Sequence, residues 1–165
     1  MASQIELTLT GGAENANPNL SLGGEGSNVQ VSGTALNNLF QDVTPTQAVT
    51  GVTQYRAFDI INLGTVAGDD DSAVTRIFIE DSTSTETAIF IGMDATTQSV
   101  ADEFSAPDGV TFSQPSEAAP LYVLDTTDGG RIVAGGRQRV WVKRVVSPGA
   151  TNYKNDTNQY AVDFA

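Results

Sequence analysis

Five of the eight basic residues fall between Arg131 and Arg144: Arg131, Arg137, Arg139, Lys143 and Arg144. The run RQRVWVKRVV, residues 137–146, reads as a β-strand. Its period of two puts Arg137, Arg139, Trp141 and Lys143 on one face, and Val140, Val142, Arg144 and Val146 on the other. Arg and Trp are enriched at the centres of protein interfaces, so the first face reads as a recognition surface. A second reading of the same pattern is a Trp141 half-buried under its own loops, with the Arg stems covering it. Basic and aromatic groups together also suit single-stranded nucleic acid. The chain as a whole carries a formal charge of −12, from 20 acids against 8 bases. That field repels polyanions and anionic membrane. The better partner for the basic strand is an acidic surface on another copy of the chain.

The densest acidic cluster is Asp69, Asp70 and Asp71. Three carboxylates on a turn could hold calcium through oxygen, but the spaced Asp-x-Asp-x-Asp-Gly loop with its distant Glu is missing. A solvated loop is the other reading. Asp102 and Glu103 are adjacent, and sequence neighbours on a strand point opposite ways. They do not form the opposed pair that glycoside cleavage needs, and they read as surface groups. The chain has no His and no Cys, which removes the commonest general base, the commonest metal ligand and all thiolate chemistry. No G-x-S-x-G, Walker A or G-x-G-x-x-G motif occurs in a strand–turn–helix setting. Neither enzymatic activity nor a cofactor is expected.

The 165 residues suit one domain. No apolar run reaches 18 residues, so no membrane helix is expected, and MASQIELTLT lacks the pattern of a secretory signal. QIELTLT alternates, with Ile5, Leu7 and Leu9 on one face. VTQYRAFDIIN places Tyr55, Ala57 and Asp59 opposite Arg56, Phe58 and Ile60. AVTRIFIED and TAIFIGMD, separated by STSTE, read as a hairpin. GVTFS, PLYVLD and NQYAVDFA add further strands. ALNNLF, residues 35–40, reads as a turn that plugs an edge of the core. QSVADEFS reads as a turn or short helix. Eight to ten short strands and no long helical pattern predict an all-β sandwich.

Residues 7–33, LTLTGGAENANPNLSLGGEGSNVQVSG, contain no Lys or Arg. Strand-like ends enclose a middle of Gly, Asn, Ser and Pro. The expectation is a division into residues 1–33, a strand plus extended arm, and residues 34–165, the sandwich. An arm of about 20 residues reaches on the order of 60 Å when extended. It would lay NVQVS, with Val29 and Val31, along a sheet edge of a neighbouring subunit.

The order of segments resembles small virion structural proteins of tailed bacteriophages. The resemblance runs through GGAENANPNLSLGG, LNNLFQDVTPTQAVTGVTQYRAFDIIN, RIFIEDSTSTETAIFIGMD, ADEFSAPDGVTFSQPS and VWVKRVVSPGATNYKNDT, over about residues 5–160. TTDGGRIVAGGRQR departs from it, being glycine-rich and basic where a plain strand and turn is the pattern. The resemblance implies an immunoglobulin-like sandwich assembled in many copies on a particle. The leading expectation built on it is a capsid decoration protein on the outer surface of the virion that forms a symmetric oligomer such as a trimer, with copies of itself and a major capsid protein or other virion protein as partners. Two alternatives stay open. One is a collar, tail or fibre component that stacks Trp141 or Tyr153 on a host carbohydrate. The other is a calcium-dependent or glycan-binding adhesion module centred on Asp69–Asp71.

Overall fold

The computed structural model describes residues 5–33, 38–64, 75–82, 86–123, 131–151 and 158–164. Among them, strands dominate. They are β1 (Ile5–Thr10), β2 (Gly26–Gln30), β3 (Val52–Asn62), β4 (Thr75–Ser82), β5 (Thr87–Asp94), β6 (Leu121–Tyr122), β7 (Arg137–Val146) and β8 (Asn158–Phe164). Among the described residues one α-helix, α1 (Pro45–Thr50), precedes β3, and a 3-10 turn spans Pro18–Leu20. Thr44 caps it reciprocally with Gln47, and Pro45 sits in its first turn. The Thr44-x-x-Gln47 spacing is legible in the sequence, although six residues show no helical period.

The strands form two antiparallel sheets, ordered β2-β1-β3-β7-β5 and β6-β4-β8. The domain is the all-β sandwich that the alternation predicts. An immunoglobulin domain divides its strands ABED against CFG. The described strands here divide five against three, and that order is not reproduced among them. β4 and β5 do not form the expected hairpin. β5 pairs with β7, and β4 pairs with β6 and β8. Both strands carry apolar residues that must reach one core, and placing them in facing sheets achieves this from both sides. GVTFS is not a strand either; only Ser113 bridges to Ile91.

The core lies between the sheets. Phe58 and Ile60 of β3, Val140 and Val142 of β7, and Ile89 and Ile91 of β5 pack with Ile77 of β4 and Val123. Each such side chain contributes about 1.5–3 kcal/mol on burial. Leu39 enters the same cluster with Phe40 packed against it, so the ALNNLF plug is borne out at these two residues. Asn62, 1% exposed, ties the far end together. Its side chain donates to Ile132 O at 2.8 Å and accepts from Gly64 N at 2.9 Å.

Residues 11–33 do not reach away from the domain. β2 pairs with β1 of its own chain, and Val31 N donates to Leu7 O at 2.8 Å. β1 covers β3 only from Phe58 to Asn62, which leaves the first half of that β3 edge open. The chain closes it with its own loops: Ala57 N donates to Ser21 O, and Tyr55 N donates to Glu103 O. Ser21 and Thr10, both buried, seal the seam. Thr10 N donates to Ser21 Oγ at 2.8 Å, and Ser21 Oγ donates to Ala57 O at 2.7 Å. The Ser and Gly residues that suggested a free arm supply the hydroxyls and tight turns of this closure. Deleting residues 1–33 therefore removes two strands and a covering layer, instead of leaving a folded core.

Candidate functional site

The outward face of the five-stranded sheet carries cross-strand rows set by the register. Across β3, β7 and β5 they read Asp59–Arg139–Asp94, then Ala57–Trp141–Gly92, then Tyr55–Lys143–Phe90, with Ile61–Arg137 beyond the first. Arg137, Arg139, Trp141 and Lys143 thus share a face, as the alternation requires. That face is not an open recognition surface. Trp141 is fully buried, Arg139 is 3% exposed, and only Arg137, with 39% of its side chain exposed, remains well open to solvent. Of the two readings the alternation allowed, burial of Trp141 under the chain's own loops is the one observed.

The cover consists of residues 19–26 and 95–113. The two segments meet through Gly24 N to Gln98 O and Val100 N to Leu22 O. Small residues make room for the indole. Ala57 and Gly92 flank it, and a β-carbon on Gly92 would lie 2.5 Å from Val110 Cγ1. Gly23 lies above it with φ +85°. A β-carbon there would stand 2.2 Å from Gln98 O and 2.8 Å from Trp141 Cζ2. Replacing Gly23 with alanine is expected to destabilise the domain by about 1–3 kcal/mol, since both dihedral and space oppose a side chain. A urea titration checks this; an unchanged midpoint contradicts it.

Beneath the cover, Asp59 is fully buried between two arginines. Arg139 Nε donates to Oδ1 at 2.5 Å and Nη2 to Oδ2 at 3.3 Å; Arg137 Nη1 donates to Oδ2 at 3.0 Å. Arg139 also donates to Gly24 O at 2.6 Å and Gln98 O at 3.3 Å, one carbonyl on each covering segment. Asp94 accepts from Trp141 Nε1 at 2.9 Å, Gln98 Nε2 at 2.8 Å and Thr96 N at 2.7 Å. Burial acts to raise the Asp94 pKa, but the bonds from Thr96, Gln98 and Trp141 outweigh it and hold the carboxyl below its ordinary value. A cavity of about 250 Å³ opens beside Arg137, lined by Asp59, Asp94, Thr96, Thr97 and Gln138 among others. All four carboxylate oxygens there already accept hydrogen bonds. Among the described residues, no three His, Cys, Asp or Glu groups gather to hold a metal.

At the other end of the face, Lys143 stands 5.0 Å from the Phe90 ring centroid and 6.0 Å from that of Phe112. Tyr55 tilts onto Phe112 at 5.6 Å. Val29 is half-buried on β2, and Val31 packs against the chain's own core, not a neighbour's edge. Trp141 cannot stack on a sugar ring while the cover is in place. Asp69, Asp70, Asp71 and Tyr153 lie outside the described residues, as do residues 35–37 of the plug. Arg131 is exposed.

The inward face ends in a second polar cluster. Asp102 is a surface group that caps its own turn, accepting from Phe104 N and Ser105 Oγ, and these bonds hold its pKa low. Glu103 is not merely a surface group. It pairs with Arg56, which is 2% exposed, and accepts from Gln54 Nε2 at 3.0 Å. Burial acts to raise its pKa, but the bonds from Arg56 and Gln54 and the charges of Arg56 and Arg144 prevail, so it is lowered. A carboxylate depressed on folding stabilises the fold above its unfolded pKa, near 4.3, and that contribution fades as pH falls through the folded value. Replacing Glu103 with glutamine is expected to lower the melting temperature at pH 7 and to flatten its fall below about pH 4. Parallel acid melts of the two proteins would contradict this.

No family model, no curated protein and no solved structure matches the chain.

Asp59, Asp94, Gly23, Gly92, Arg56 and Glu103 were not legible as a set. The usable signal was Asp59, the one acid in β3, flanked by the apolar Phe58, Ile60 and Ile61. A strand carboxylate between buried positions requires a basic partner, and the basic strand β7 is rich in them.

Proposed function

We propose that the chain is a non-enzymatic structural protein of tailed-bacteriophage virions. In this reading it is a capsid decoration protein that binds capsomers on the outer surface and works beside further copies of itself. One observation carries the non-enzymatic part. The polar groups that could do chemistry on the sheet face, Asp59, Asp94, Arg139 and Trp141, bind one another and the covering loops. Their arrangement is that of a reinforced shell. The virion part is supported by the order of sequence segments and by the acidic, strand-rich composition. Contact with the capsomer is assigned to Leu20 and Phe104, 58% and 56% exposed. Both flank the same β3 edge, through Ser21 and Glu103.

The test is antibody labelling, by electron microscopy, of virions purified from a lysate that carries the gene. A regular array over the head supports the reading; label on the collar or tail alone, or none on particles, overturns it. Replacing Phe104 with aspartate should abolish head binding while leaving the melting temperature within a few degrees of the parent.

A further inference from the structure

We propose that the groove beside Arg137 binds a neutral, hydroxyl-rich ligand of the pyranose class through Arg137, Glu25, Asn28 and Thr97. The inference does not rest on the capsid reading, and neither Leu20 nor Phe104 lines the groove.

Two cavities flank Arg137, the exposed arginine of the outward face, and share it and Thr97 as walls. The inner one, about 250 Å³, is the recess over Asp59 and Asp94. The outer one, about 560 Å³, runs from Thr97 past Arg137 to Glu25, Gly26 and Asn28. Its volume falls within the range of about 300–1,000 Å³ that small-molecule sites occupy.

Arg137 is held ready for a ligand. A β-carbon on Gly26 would overlap Arg137 Nη1, so the absent side chain is what admits the guanidinium. Asp59 fixes it through Nη1 alone. Arg137 Nε and Nη2 make no hydrogen bond among the described residues, and they remain as donors. The Glu25 carboxylate, the Asn28 amide and the Thr97 hydroxyl are exposed and uncommitted among the described residues too. The rim that carries them is fastened by main-chain bonds. Gly11 N and Gly12 N donate to Glu25 O at 2.8 and 3.0 Å, Asn28 N to Ala13 O at 2.9 Å, and Gly24 N to Gln98 O at 2.8 Å. A ligand therefore pays little for ordering the walls. Those main-chain groups are spent within the chain, so they are not open to an added peptide strand.

The charges and free groups select the ligand class. Glu25, Asp59 and Asp94 line the two cavities with only Arg137 and Arg139 against them. An anion meets a net negative wall. A metal ion finds one free carboxylate, since each oxygen of Asp59 and Asp94 already accepts a hydrogen bond. An apolar ligand would strip water from Arg137 and Glu25 and replace none of its bonds. A hydroxyl both donates and accepts. Neighbouring hydroxyls on one sugar ring accept from Arg137 and donate to Glu25, with Asn28 and Thr97 serving either role.

The probes are the methyl glycosides of glucose, galactose and mannose, added to the isotope-labelled whole chain and followed by NMR. At least one should saturably shift the amide signals of Glu25, Asn28 and Thr97 and the Arg137 Nε–H, with a dissociation constant of about 1–10 mM. No saturable shift from any of them, or shifts centred elsewhere, overturns the proposal. Methyl glucuronide should bind more weakly than methyl glucoside; tighter binding would mark an anion site and overturn it. Replacing Glu25 with alanine should weaken the glycoside roughly tenfold. The same change would strengthen an anion, so unchanged or tighter glycoside binding counts against the proposal. Glu25 is exposed, and this variant keeps the fold. Replacing Arg137 with glutamine should abolish saturable binding.

Discussion

Replacing Asp59 with alanine lowers the stability of the domain by about 3–5 kcal/mol, measured by urea denaturation. The effect is large because of what remains behind. Arg139 is 3% exposed, and its Nε and Nη2 both donate to Asp59. Without the carboxylate, a buried cation keeps only two carbonyl acceptors, Gly24 O and Gln98 O. Those carbonyls belong to the covering segments, so the strain passes into the layer that hides Trp141. Arg137 supplies the contrast. Its side chain is 39% exposed, and it touches the same carboxylate through one nitrogen. Replacing Arg137 with glutamine should cost less than about 1 kcal/mol, because solvent screens the pair and hydrates what is left. The ratio between the two variants is the informative quantity. Equal and small effects would mean that Asp59 and Arg139 form no stabilising unit.

Replacing Trp141 with alanine is expected to cost about 3–5 kcal/mol as well, by a different route. The indole is fully buried, with Ala57 and Gly92 beside it on the sheet and Gly23 above it. None of these neighbours has a side chain able to fill the space left behind. The lost Nε1 donor also deprives Asp94 of a partner. Replacing Trp141 with phenylalanine isolates that second effect, since most of the volume stays while the bond goes. About 1–2 kcal/mol is expected for that variant. Circular dichroism melts follow both variants, because Trp141 is the only tryptophan and alanine removes the fluorophore. In the parent its emission should be blue-shifted and should move to longer wavelength in a single step with unfolding. A parent spectrum typical of solvated indole would contradict the buried position.

The strands that alternate most cleanly were readable nearly to the residue. VTQYRAFDIIN, TAIFIGMD and RQRVWVKRVV coincide with β3, β5 and β7. Period-two patterning reports which residues share a face, and the rows Asp59–Arg139 and Ala57–Trp141 obey it. It does not report what lies on that face. Two features hid the covering layer. Residues 19–26 and 95–113 have almost no regular structure, so they carry no period. Their contribution is made by main-chain bonds and small residues, as at Ser21 and Gly23, instead of by apolar side chains. Strand partners were equally illegible. RIFIED and TAIFIGMD, with a short turn between them, look like a hairpin, yet they join facing sheets because both have apolar residues that must meet the same core. The pairing of Glu103 with Arg56 spans 47 positions, and no local pattern connects them. At residues 11–33 composition misled for a physical reason. Gly, Ser and Asn are the residues of free linkers, and also the residues that fit a chain pressed close against a sheet.

β7 occupies the space between β3 and β5 and bonds to both along most of their lengths. It also leaves the ribosome after both of them. Until residues 137–146 emerge, β3 and β5 each present an unpaired edge, and the seat for the covering loops does not exist. The nascent chain therefore passes through a long interval with exposed strand edges, which invites pairing with other nascent chains. Its high negative charge keeps such chains apart during that interval. The bond from Arg139 to Gly24 then closes a span of 115 positions. Closures over such distances make folding slow, in the millisecond to second range of sandwich domains. They also tie segments made far apart in time into one unit, so that neither separates without the other.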